Sequence, residues 1–473
     1  MKSVSSIKNS IFSVIDTLVM PLTMIIATPI FLIKLGVQDY GIWMFINSLV
    51  ILMSIVNIGG VDTLIRYIPK YRKYQDLGSI NVLFSTVFTS QLIFAVLLML
   101  LSFTIISLLD FDSFDGEFRA ESEFKAIFHF GTALFSLKLI EQIIFSYFKG
   151  YERLDIASFL SVCSKLTLII TQLITAIITK DLYWVILFSV INACVILLIE
   201  IVFIKRVTPG ISLFTLFSYT KLKEVFSYAK WSWLISIVGV VASQVDKWLV
   251  VMLTNMSTLA YYSLALLVFS NIHGVIASSI SWIFPKVGLL KSKKEVLWYY
   301  LFLQILLVLA SLIISVILIE SDIIFELWLT DNYKNTSVYL YSFFLLIPIY
   351  SLTIVPFFML KGLGLIKYNF YSDLGMLMIR VSFAYVLYIY FDVVGIIIAI
   401  GISGYALGLF MVSILKIKYL TLLNMHVAKI YMVPILYIII QLYINEYRFV
   451  LIPLLILYCV FLLSTVYRLK KLK

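Results

Sequence analysis

Charge is what this chain has least of. Only 13% of its 473 residues are Asp, Glu, Lys or Arg, against roughly a quarter in soluble domains. With 62% of residues apolar, a water-soluble fold of this length could not hide its own surface. Cysteine is nearly absent. Cys163, Cys194 and Cys459 all lie in apolar runs and read as small packed hydrophobes, so neither a disulfide framework nor a metal site is indicated. His129, His273 and His426 are scattered, without ligand spacing, and no cofactor is implied. A net charge of +11 raises nucleic acid as a partner, but the charge is distributed along loops and does not form a binding stripe. A cleavable leader is also missing from this reading: Ser10 to Ile33 is too long for a signal-peptide core, lacks a small-residue cleavage site, and reads as a first span.

What the chain has instead is long uncharged runs: Ser79 to Leu109, Tyr431 to Asn445 and Phe449 to Tyr467 hold no charged residue. A helix crossing about 30 Å of hydrocarbon needs about 20 apolar residues. Apolar runs and their polar breaks predict an all-α polytopic membrane protein of about 14 transmembrane helices, near residues 10–33, 41–65, 80–109, 126–148, 156–179, 182–204, 229–253, 259–284, 296–319, 337–360, 369–391, 394–415, 430–445 and 449–467. The penultimate run is short, and a count of 12 is the alternative.

Loop charge orients the helices, because cytoplasmic loops carry an excess of Lys and Arg. With the N-terminus inside, 26 basic residues fall on inside segments and 6 on outside ones. A missed span would scramble that alternation, so both termini are placed in the cytoplasm. The longest outside loop, Asp110 to Glu123, carries six acids against Arg119 and reads as solvated surface. The Lys286 to Lys294 cluster reads as a topology signal that also touches anionic lipid heads.

Two echoes suggest duplication. Leu35-Gly36-Val37-Gln38-Asp39-Tyr40-Gly41-Ile42-Trp43 follows the first span, and Ser257-Thr258-Leu259-Ala260-Tyr261-Tyr262-Ser263-Leu264-Ala265 follows the seventh. Phe148-Lys149-Gly150-Tyr151 and Leu360-Lys361-Gly362-Leu363 close the fourth and tenth, at offsets of 221 and 212 residues. Six spans per half is even, so the expected arrangement is two six-helix bundles in parallel pseudo-repeat with the substrate path between them. The predicted boundaries are 1–215 and 216–420, with 421–473 adding two helices and a basic tail.

These residues resemble a known family. Pro29 to Tyr71, with Tyr40-Gly41-Ile42-Trp43 and Gly59 to Arg66-Tyr67-Ile68-Pro69, is similar to the N-terminal region of Wzx-type O-antigen and polysaccharide flippases of the multidrug/oligosaccharidyl-lipid/polysaccharide exporter superfamily. Phe148-Lys149-Gly150-Tyr151-Glu152-Arg153, Gln244-Val245-Asp246-Lys247-Trp248, Tyr262-Ser263-Leu264-Ala265, Pro285, and Lys361-Gly362 through Lys367 also fit. Asn57 departs from the pattern, standing where an acid is expected ahead of Gly59. The resemblance implies a bacterial inner-membrane flippase for undecaprenyl-pyrophosphate-linked oligosaccharide, working among membrane lipids with a polysaccharide polymerase and a chain-length regulator as partners. A small-molecule exporter of the same superfamily is the alternative. A membrane-bound polymerase is a further one, although the short outside loops show no catalytic constellation.

An anionic head group needs cations within the membrane. Four of the 36 basic residues lie inside spans: Lys138, Lys165, Lys247 and Arg380. Each would cost about 2.5–3.5 kcal/mol facing lipid, so each is expected to face a cavity or a partner. They are read as the head-group site, with Arg66 at its cytoplasmic mouth. Two of them have a plainer reading: Lys138 can pair with Glu141 three residues on, and Lys247 can reach outward to the interface. Asp16, Glu141, Asp246 and Asp373 are the candidates for ion coupling, or for pairing with those same cations. Pro21, Pro29, Pro348, Pro356 and Pro434 are expected to kink their helices.

Overall fold

The computed structural model describes residues 19, 23–53, 60–74, 76–108, 121–151, 153–208, 218–280, 283, 287, 293–363, 365–419, 424–443 and 448–471. These residues are almost wholly helical, with no strand among them. In chain order the helices are α1 Thr23–Leu35, α2 Val37–Met53, α3 Gly60–Lys73, α4 Leu77–Leu108, α5 Glu121–Gly150, α6 Leu154–Thr179, α7 Leu182–Val207, α8 Tyr219–Leu253 and α9 Met256–Ile280. They continue with α10 Lys293–Ile319, α11 Asp322–Leu329, α12 Tyr333–Gly362, α13 Ile366–Tyr419, α14 Asn424–Tyr443 and α15 Arg448–Lys471. Every predicted span has a helix over its described residues. The penultimate helix has 20 residues, the length that about 30 Å of hydrocarbon requires. Asp16, Asn57, Pro21, Pro285 and most of the acidic outside loop lie outside the described residues.

The pattern of exposure is that of a protein in lipid. Eight of the described helices are long and apolar enough to cross a membrane. On α7, Trp184, Phe188, Ile191, Val195, Leu198 and Val202 are exposed, spaced three or four apart along one face. The opposite face buries Val185, Ser189, Ala193, Leu197, Glu200 and Ile204. A stripe of exposed large apolar side chains is unfavourable in water by about 25 cal/mol per Å², and neutral against acyl chains. The chain is a multi-pass membrane protein.

Two compact units emerge: residues 1–240 with 254–260, and residues 241–253 with 261–473. In the first, the inner ends of α3, α4, α5 and α7 share a core that includes Ile68, Phe84, Ile144, Tyr147 and Ile204. Gly150 permits this packing, since a Cβ there would stand 2.9 Å from the Leu64 carbonyl oxygen. Arg72 closes the corner, donating to the Tyr151 carbonyl at 2.9 Å, and its cation suits a helix C-terminus. The start of α2 also meets the start of α9: a Cβ on Gly41 would lie 2.0 Å from the Met256 carbonyl oxygen, so only glycine fits there.

The second unit is organised around α12, whose prolines are accommodated by its neighbours. Pro348 has no N–H for the Phe344 carbonyl four residues back. That oxygen instead accepts from the Ser315 hydroxyl of α10 at 2.6 Å. Pro356 likewise frees the Leu352 carbonyl, which accepts from Tyr431 of α14 at 3.3 Å. Lipid offers no donors, so an orphaned carbonyl must find a partner within the protein. Ser315→Ala and Tyr431→Phe should each lower stability by about 1–3 kcal/mol, seen as earlier thermal unfolding in detergent.

The predicted break between the eleventh and twelfth spans is real. At 54 residues, a straight α13 would run about 80 Å, far beyond any bilayer. It reverses instead at Asp392, where φ is 54° and ψ is −145°. The reversal is so tight that a Cβ on Gly395 would fall 2.2 Å from the Leu387 carbonyl oxygen. Gly395→Ala should therefore prevent the hairpin from closing, with the protein lost to degradation or aggregating on extraction; a monodisperse variant of normal thermal stability would contradict this. Beyond the turn, Gly401 and Gly404 let α13 approach Leu346 and Tyr350 of α12, the small-residue packing that membrane helices favour. One element was not anticipated: the short α11 precedes the tenth span, exposing Ile323, Ile324 and Leu327.

Candidate functional site

In the first unit, α5 and α6 are joined by a short turn, so residues equally far from that turn lie at equal depth. Lys138 is 12 residues before the end of α5, and Lys165 is 11 residues into α6, which puts both about 16–18 Å along their helices. They line one cavity of ≈ 460 Å³ with Glu141, Gln142, Ser161 and Ser164. Lys149, near the basic end of α5, belongs to the same wall. The spacing 138, 141, 142, 145, 149 on α5 and 161, 164, 165, 168 on α6 is one helical face each.

Within this cavity Lys138 is held three ways. Its Nζ donates to Glu141 Oε1 at 2.9 Å and to Oε2 at 3.0 Å, and to Ser164 Oγ at 2.6 Å. Ser164 in turn donates to Glu141 Oε2 at 2.8 Å. The Lys138–Glu141 pairing expected from their spacing is therefore present, and cavity lining and ion pairing are properties of the same lysine. A residue not singled out in the sequence, Glu200 of α7, stands within electrostatic reach of both Glu141 and Lys138. It is 1% exposed.

The second unit gathers another set of predicted residues. α8 and α9 form a hairpin through residues 254–255, so Asp246, seven residues before the turn, meets Tyr262, six residues into α9. The Tyr262 hydroxyl donates to Asp246 Oδ2 at 2.6 Å. Arg380 of α13, 6% exposed, donates from Nη1 to the Ala242 carbonyl at 2.6 Å and from Nη2 to the Tyr350 hydroxyl at 3.0 Å. Asp246 interacts electrostatically with Arg380 and with Lys247. His273 packs against Tyr350, ring centroids 5.5 Å apart. This is a buried charge cluster clamping α8, α9, α12 and α13. Tyr350 carried no sequence signal that separated it from the other 29 tyrosines, and Tyr262 entered only as part of the Tyr262-Ser263-Leu264-Ala265 motif.

Asp373 stands half-buried two helical turns before Arg380 on α13. Arg66 lies on α3, but its side chain is outside the described residues, as is all of Asp16.

The described residues form a multi-pass helical bundle with paired internal charges, an architecture shared with known membrane proteins. The chain belongs to the polysaccharide biosynthesis protein family, whose sequence model matches residues 6–288. Its fold is shared with solved transporters of the MOP superfamily. It is similar to the lipid II flippase MurJ in an inward closed conformation, at 14% identity and TM-score 0.69, over 98% of this chain and 100% of that one. An inward-facing MATE-family multidrug resistance transporter aligns at 13% identity and TM-score 0.66, over 86% and 98% of the two chains. A MOP superfamily transporter from Pyrococcus furiosus aligns at 14% identity and TM-score 0.61, over 88% and 96%. No curated protein sequence matches the chain.

Proposed function

We propose that this protein is a flippase that carries an undecaprenyl-pyrophosphate-linked oligosaccharide, the repeat unit of O-antigen or another surface polysaccharide, across the bacterial inner membrane by ion-coupled alternating access. The observation that carries this reading is the cavity of the first unit. Lys138 and Lys165 face it at mid-helix depth, and Lys149 lies towards its basic end. A pyrophosphate losing its water needs replacement donors and positive charge, and two ammonium groups at one depth supply both. Arg66 on α3 is assigned to the mouth of this path. Arg380 and Lys247, set against Asp246 in the second unit, add positive charge there. A carrier of organic cations would instead be served by acids in its cavity.

Cells whose only copy carries Gln at Lys138, Glu141 and Lys165 should lose surface polysaccharide and accumulate the lipid-linked unit. Their susceptibility to cationic drugs should stay unchanged. Normal polysaccharide together with new drug sensitivity would favour the small-molecule exporter.

A further inference from the structure

Glu200 is the one acid near the cavity for which the hydrogen bonds do not close. Lysine has three donors, and all three of Lys138 are committed, to both Glu141 oxygens and to Ser164. The Ser164 proton also goes to Glu141. Both carboxylate oxygens of Glu200 are buried with no hydrogen-bond partner. α7 packs against α5 and α6. The charged groups acting on Glu200 are Glu141 and Lys138 of α5, while α6 contributes Lys165 to the same cavity. One ammonium thus faces two carboxylates, and its donors go to Glu141 and Ser164 with none left for Glu200. A buried, unpaired carboxylate beside a second carboxylate is strongly unfavourable, whereas the neutral acid is not.

We propose that Glu200 is a proton-binding site, and that its proton sets the charge of the cavity in which the head group is held. With Glu200 neutral, Lys138, Lys149 and Lys165 outweigh Glu141 by two charges. Loss of the proton to water in the cavity reduces that excess to one and weakens the hold on an anion. The converse follows by linkage: an anion that draws Lys138 away from Glu141 leaves two carboxylates together and strengthens their grip on the shared proton. The part about the anion rests on the flippase reading; the proton site itself does not.

The experiment uses purified full-length protein in lipid nanodiscs. Infrared difference spectra across a pH titration should show the carbonyl stretch of one buried carboxylic acid, lost in Glu200→Gln and kept in Asp373→Asn. Glutamine mimics the neutral acid, so this variant should fold normally. Binding of farnesyl pyrophosphate, a soluble prenyl pyrophosphate, should weaken about tenfold as that acid titrates, within the usual size of coupling between sites. In Glu200→Gln the affinity should stay high and lose its pH dependence. A carboxylic-acid band unchanged in Glu200→Gln, or absent from the wild type at every pH, overturns the assignment. Pyrophosphate affinity that titrates identically in both proteins overturns the link to cavity charge. Failure of the wild type to bind the probe at any pH, with the band present and Glu200-dependent, counts against the head-group reading and leaves the proton site standing.

Discussion

Replacing Lys138, Glu141 and Lys165 together with glutamine should abolish polysaccharide display while the protein stays in the membrane at its normal level. Glu141 has to be included. Removing Lys138 alone leaves a carboxylate that is 1% exposed without its cation, and breaking a buried ion pair from one side costs about 3–5 kcal/mol. A loss of display from Lys138→Gln would then confound misfolding with lost binding. In the triple variant the buried charge is removed from both sides and the cavity stays polar. What is lost is two charge-assisted contacts to the head group, each worth about 1.5–3 kcal/mol. At about 1.4 kcal/mol per factor of ten, affinity should drop by at least about 10²-fold. Lys149→Gln, nearer the helix end and the water, should cost much less. Normal display from the triple variant, at equal protein level, would rule out the cavity as the head-group site.

The second large effect is expected in the other unit and concerns stability. Asp246 and Arg380 attract within one cluster without a direct hydrogen bond. Arg380→Met should therefore leave Asp246 with Lys247 as its nearby cation and free the Ala242 carbonyl. Asp246→Leu should weaken the setting of Arg380 and free the Tyr262 hydroxyl. Each should lower stability by about 1–3 kcal/mol. The double replacement should be milder than the two losses added, since charges that attract within one buried cluster are coupled. A double-mutant cycle on thermal unfolding in detergent measures this coupling. Tyr262→Phe should lose about 1.5–3 kcal/mol through its 2.6 Å bond to the carboxylate. Additive single losses would show that Asp246 and Arg380 do not act as a pair. Transport by the double variant then separates two roles for Asp246: persistence of flipping marks it as structural, and its loss with normal folding marks it as part of the coupling machinery.

Much of the fold was legible residue by residue. The break at residues 391–394 could be read because Asp392 interrupts an apolar run, and the structure reverses there. Pro348 and Pro356 announced disturbed helices. Nothing local could say that Ser315 and Tyr431 would answer the freed carbonyls, because those residues arrive from other helices. The Lys138–Glu141 pair was foreseeable from three-residue spacing, but its Ser164 partner was not. Glu200 escaped notice because it lies four residues from the end of the predicted sixth span, close to Lys205 and Arg206. In a hydropathy reading such an acid resembles an interfacial one. The rotation of α7 decides otherwise, turning Glu200 inward with Ala193 and Ile204 while Trp184 and Leu198 face lipid.

Hydropathy thus determined that the chain crosses the membrane many times and which few charges are carried inside, while loop charge set the expected side of each loop. Those properties belong to single segments, and water, hydrocarbon and lipid charge act on each segment independently. Which charges meet was settled only in the folded bundle. Lys138 finds Ser164, Asp246 finds Tyr262, and Arg380 finds Ala242 across 138 positions of sequence. Those partnerships depend on the rotation and depth of whole helices, which packing sets and no single segment encodes.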